Sequence, residues 1–164
     1  MDVKIGRIIG KFDSELDRRK PDHRVNVRDV TVEWLYRPDG SEPWRTEQLT
    51  LEAGESYDGA TRPEIVGSLV PRFGVFTLAD FVHDKCFRDR PPMSDGVRIS
   101  RQHTDLLFYA LMIHIAKERV TKGWKAKAQL LLARAMYTAV RWFGPDTWNR
   151  HDKEFVNVRK DPHV

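Results

Sequence analysis

The chain has 164 residues, 40% hydrophobic and 32% charged, with 28 basic and 24 acidic side chains and a formal net charge of +4. That size and balance predict one soluble domain with a sizeable core and exclude a disordered or low-complexity chain. No apolar run approaches the length of a membrane span, the opening Met1-Asp2-Val3-Lys4 does not read as a signal peptide, and a single cysteine, Cys86, excludes an internal disulfide. Synthesis and folding in a reducing cytoplasm are the default expectation. The basic clusters at Asp17-Arg18-Arg19-Lys20 and from Lys117 to Lys127 lack interleaved aromatics, so nucleic-acid binding is not expected.

The first half reads as strands and turns. Val3 to Phe12 alternates loosely around Gly6 and Gly10, as a strand or bent edge. Residues 29–37 are β-branched and aromatic with partial alternation, and Trp44 to Leu51 returns as a second strand. Pro38-Asp39-Gly40-Ser41 between them is turn chemistry, because Pro presets φ and Gly accepts a positive one. Glu52-Ala53-Gly54-Glu55 makes a further turn before Ser56-Tyr57-Asp58-Gly59-Ala60-Thr61-Arg62-Pro63.

The second half reads as helices. Pro63 to Val70 fits a short helix stopped by Pro71. Phe73 to Arg88 carries Phe76, Ala79, Val82 and Cys86 at helical spacing, with Gly74 or Thr77 near its start. Arg90-Pro91-Pro92-Met93-Ser94-Asp95-Gly96 breaks the chain. Ser100 is suited to cap the next helix, whose stripe is Leu107, Ala110, Leu111, His114 and Ile115, to about Arg119. Ala126 to Phe143 predicts a third helix, with Leu130, Ala133, Met136 or Tyr137, and Val140 inward, ended by Gly144-Pro145. Residues 1–148 form the expected domain and 149–164 a polar tail. The fold class is α+β: a small antiparallel sheet packed on about three helices, with an antiparallel central pair at 74–88 and 99–119.

The chemistry-bearing residues lie on that central pair. His83-Asp84 sits near the end of one apolar segment and Asp105 near the start of the next, 22 residues on from His83. Two helices joined by a Pro/Gly turn bring such positions together, so that Asp105 reaches the imidazole of His83 and holds it as a general base. Asp84 is then left to bind a cation. The competing reading is structural: Asp84 pairs with Arg88 and Asp105 with Arg101 or Arg98, at about 0.2–0.5 kcal/mol per helical pair, and His83 is a satisfied histidine between helices. His103 and His114 lack the spacing of a zinc pair. His23 stands alone upstream, and Cys86 on an apolar stripe reads as a buried thiol. The five tryptophans suggest core and rim packing.

Several strings carry a resemblance. Tyr57-Asp58-Gly59-Ala60-Thr61-Arg62-Pro63, Phe81-Val82-His83-Asp84 with Arg88, Ser100-Arg101 with Asp105, and Ala135-Met136-Tyr137 through Val140-Arg141-Trp142-Phe143-Gly144 together resemble a family of phage and prophage proteins. It is catalogued as domain of unknown function 1353, and the resemblance covers roughly residues 29 to 148. The His-Asp helix followed by an Asp on the next helix is also similar to phospholipase A2 domains. That likeness implies His83 as the base acting through water, Asp105 as its orienting carboxylate, and Asp84 as a calcium ligand, with Asp58-Gly59 the upstream candidate for the carbonyl-bearing calcium loop. Phe87 stands where that family usually has a Tyr, and its stapling cysteines are missing. From the residues alone, Asp58-Gly59 reads as an ordinary turn before Pro63 ahead of a source of ligands.

The functional expectation is therefore a phage- or prophage-encoded, phospholipase-like hydrolase with a calcium-assisted His83/Asp105 dyad acting on esters at a lipid or membrane surface. The alternative is a non-catalytic accessory or virion-associated phage protein that binds other phage proteins and keeps the helix pair as scaffold.

Overall fold

The computed structural model describes residues 1–20, 23–57, 74–119, 123–143 and Trp148. The expected short helix at 63–70, the Asp58-Gly59 segment and the 149–164 tail lie outside the described residues.

Strand β1 (Asp2–Ile9), β4 (Val30–Arg37) and β5 (Arg45–Leu51) form an antiparallel sheet in the order β1-β4-β5. The alternation in β4 works as the period of a strand requires. Val30, Val32, Trp34 and Tyr36 all point inward, as do Leu49 and Leu51 of β5. Asp39 fixes the hairpin turn, its Oδ1 accepting from the Ser41 amide at 2.9 Å and the Ser41 hydroxyl at 2.8 Å. In β1 the register slips between Ile5 and Arg7, a bulge at Gly6. Gly10 turns the chain away with φ +94, where a Cβ would stand 2.8 Å from the Asp29 carbonyl oxygen.

A second sheet has the order β2-β3-β6, built from β2 (Ser14–Leu16), β3 (Arg24–Asn26) and β6 (Ser56–Tyr57). Strands this short carry no readable alternation, so the sequence does not announce them. Buried Asn26 ties this sheet to the first, donating from Nδ2 to the carbonyls of Leu51 at 3.0 Å and Glu52 at 3.2 Å.

Helix α1 (Thr77–Asp89) starts where Thr77 Oγ1 accepts from the Gly74 amide at 2.9 Å and donates to its carbonyl at 2.7 Å. It ends at Arg90, left-handed at φ 44, whose amide donates to the Cys86 carbonyl. The Pro-rich connection closes on itself through a Pro92–Arg98 bridge. Helix α2 (Arg101–Arg119) is capped by Ser100, whose Oγ accepts from the His103 amide at 3.2 Å. Helix α3 is Trp124–Phe143. Helix α2 packs against α1, α3 and β1 and is the central element, while α1 also meets β5. The architecture is α+β.

The inward stripes need correcting at three positions. Phe76, Ala79, Val82 and Cys86 are buried as expected. On α2, Leu107, Leu111 and Ile115 are buried, but Ala110 and His114 line a surface groove beside Val3 and Ile5, and Phe108, Met112 and Ala116 fill the core instead. On α3, Ala133 and Met136 are buried, whereas Leu130 falls on the border of that face and is 36% exposed. No helix among the described residues is long and apolar enough to cross a membrane.

Candidate functional site

The break after α1 and the Ser100 cap fix where α2 begins, and so which turn of each helix meets the other. His83, two turns before the end of α1, faces Asp105, one turn into α2. His83 Nε2 lies 3.3 Å from Asp105 Oδ1. Both side chains are buried, Asp105 completely and His83 at 6% exposure. The rings of Phe87, at 4.5 Å, and Phe108, at 4.8 Å, enclose the imidazole, and Trp148 stands edge-on to Phe87 at 4.7 Å.

An ionised carboxylate only accepts, so Nε2 carries the proton in this contact and Nδ1 holds the lone pair of the neutral ring. Nδ1 makes no hydrogen bond among the described residues. Asp84 Oδ1 lies 4.0 Å from it, on a side chain about 13% exposed. Asp84 thus shares the Nδ1 side of the ring, although adjacent helical positions diverge by about 100°.

The other oxygen of Asp105 is shared by two guanidinium groups. Arg141 Nη1 of α3 stands 3.3 Å from Oδ2, and Arg101 Nε stands 3.6 Å from it. Arg101 Nη2 also donates to the carbonyls of Val140, at 3.4 Å, and Arg141, at 2.8 Å, near the end of α3. Reading the sequence anticipates Arg101 but not Arg141 in this role. Arg141 lies 36 residues beyond Asp105 on another helix, and no local spacing signals the contact.

Beside this pair, β6 delivers the chain onto α1. Tyr57 is 1% exposed, its ring 4.4 Å from Phe81 and under the Arg88 guanidinium at 4.8 Å. Its hydroxyl donates to Glu55, which also pairs with Lys85. Burial and the neighbouring Glu55 charge push the Tyr57 hydroxyl far up, so it remains a donor. Burial opposes the charge on Glu55, but the Lys85 and Tyr57 hydrogen bonds outweigh it and hold that carboxyl below its ordinary value.

The remaining candidates are packing groups. His103 Nε2 accepts from Trp34 Nε1 at 3.0 Å, its ring stacks on Tyr36 at 4.0 Å, and burial lowers it to about 4. Burial pushes the Cys86 thiol up to about 12. Among the described residues no group of three or more His, Cys, Asp or Glu side chains converges as a metal site. Asp58 and Gly59, the expected partners of Asp84, lie outside those residues.

Residues 30–140 match the model of a family described as Protein of unknown function (DUF1353), and the chain belongs to that family. No curated protein and no solved structure matches it.

Proposed function

We propose that this chain is a phage- or prophage-encoded, phospholipase-like ester hydrolase in which His83 is the general base and Asp105 its positioning residue. The observation that carries the reading is the 3.3 Å contact from Nε2 to a fully buried carboxylate, with Nδ1 left without a hydrogen bond among the described residues. Asp105 fixes the tautomer and offsets the charge that the ring gains. A water at Nδ1 gives up its proton as its oxygen attacks the ester carbonyl. The tetrahedral intermediate then expels the alcohol, which takes the proton back from the imidazolium. Base assistance of this kind is worth about 10²–10⁴-fold.

Calcium is the proposed cofactor, held by Asp84 with Asp58 and Gly59, and it would supply a Lewis acid for the ester oxygen. Support comes from the end of β6. Tyr57, immediately before Asp58, rests on Phe81 and under Arg88, which lie one helical turn before and after Asp84. The donor set among the described residues is a single carboxylate, so the fit depends on the 58–59 segment.

A second reading is a non-catalytic accessory or virion-associated protein. The enclosure of His83 by aromatic rings and the two arginines on Asp105 favour it, since both features suit a helix-bridging cluster. Release of fatty acid from phosphatidylglycerol micelles with millimolar calcium separates the two. The hydrolase reading expects turnover by the wild type that falls at least 100-fold in Asp105→Asn. Absence of turnover by the wild type, with and without calcium, rejects it.

A further inference from the structure

Helix α3 has a second apolar stripe that faces away from the core. Ala133 and Met136 turn inward, yet Trp124 is 75% exposed, Leu131 68% and Trp142 76%. Trp124 and Trp142 are separated by about five helical turns, so they stand on the same line of the helix about 27 Å apart. Leu131 and Ala135 lie between them on that line, with Thr138 and Ala139 at its border along a shallow groove. On one flank come Lys127 and Arg134, on the other Lys125, all exposed. The helix contains no Asp or Glu.

We infer that this face docks on an anionic lipid surface, with α3 lying in the plane of the interface. Indole rings favour the boundary where one edge is apolar and the other wet, and a pair at opposite ends would hold the helix parallel to the surface. Lysine and arginine stems beside the stripe reach outward to phosphate headgroups while their methylenes cover apolar surface. Charge decides among occupants. A second copy would set Lys125, Lys127 and Arg134 against a like-charged helix, whereas an anionic membrane neutralises all of them. An apolar stripe ended by two indoles and flanked by basic side chains also suits shallow insertion in the plane of an interface. The inference names the surface at which the proposed hydrolase would meet its substrate, but it stands on α3 alone and does not require turnover.

Sedimentation with vesicles, in calcium-free buffer, tests it. The wild type is expected to bind phosphatidylglycerol vesicles at least 10-fold more tightly than phosphatidylcholine vesicles, with tryptophan emission shifting to the blue. Trp124→Ser/Trp142→Ser should lose at least 10-fold of that binding. Lys127→Glu/Arg134→Glu should remove the preference for anionic lipid. His83→Gln should bind like the wild type, which separates docking from catalysis. All four substituted α3 positions are exposed, and circular dichroism verifies the fold. Equal binding to both lipids, no binding at all, or a dimer that dissociates in the tryptophan variant without any vesicle binding would each overturn the inference.

Discussion

Asp105 and His83 meet at 3.3 Å, and the same carboxylate takes Arg141 at 3.3 Å on its other oxygen. One fully buried acid therefore joins all three described helices, α1 through His83, α2 through its own backbone and α3 through Arg141.

Removing that acid should be costly. Asp105→Ala leaves Arg101 and Arg141 without their shared carboxylate, and breaking a buried pair costs about 3–5 kcal/mol. The partners are 21% and 37% exposed, which pulls the expectation toward the low end. Urea denaturation should show a loss of about 3 kcal/mol, and a loss within 0.5 kcal/mol would mean that the cluster does not bind the helices together.

Arg141 and Asp105 should be coupled energetically. A double-mutant cycle with Arg141→Met and Asp105→Asn is expected to give an interaction energy above about 0.5 kcal/mol, as neighbours in one network do. Additive effects would place the Arg141 contact at the solvated surface.

The pH dependence of stability should report His103. Its value falls from 6.5 to about 4 in the folded chain, because burial disfavours the charged ring. Below 6.5 the unfolded chain takes up a proton that the folded chain refuses until about 4, so stability is present above 6.5 and drains away as pH falls through that window. The full effect is on the order of 3 kcal/mol. His103→Gln should flatten the profile between pH 6.5 and 4. An unchanged slope in that variant would assign the acid sensitivity to other groups.

Cys86 offers a probe of opening. The thiol is buried and raised to about 12, so it should resist a thiol-specific reagent at pH 8 and react only when α1 comes away from the core. Labelling as fast as that of a free thiol would show that α1 leaves the core readily.

Calcium should bind weakly, through Asp84. Isothermal titration is expected to show millimolar affinity that Asp84→Asn removes. Heat of binding that survives the substitution would move the site elsewhere.

How much of this was legible follows from where each signal lies. The His83–Asp105 contact is readable because both residues sit within one or two turns of a marked helix end, and the Pro/Gly break with the Ser100 cap sets the phase of each helix. The β4–β5 hairpin is equally plain, since Val30, Val32, Trp34 and Tyr36 fall at every second position, with Leu35 alone breaking the apolar alternation. The β2-β3-β6 sheet is hidden because its strands span two or three residues and form through long-range pairing. Arg141 is hidden for the same reason, and so is the Trp34–His103 bond that fills the space between sheet and helix. Leu130 misleads because an apolar residue at a helix border obeys the periodicity without being covered, and α3 has apolar residues on two faces.

Phospholipid hydrolysis and stability, measured on the same preparations of wild type and His83→Gln, decide whether His83 is a working base. The wild type should hydrolyse phospholipid, His83→Gln should lose at least 100-fold of that hydrolysis, and its unfolding free energy should stay within about 1 kcal/mol of the wild type, because glutamine can still donate to Asp105. A wild type that hydrolyses no ester, together with a His83→Gln protein destabilised by about 2 kcal/mol or more, would contradict that role and leave His83 as the bridge between α1 and α2.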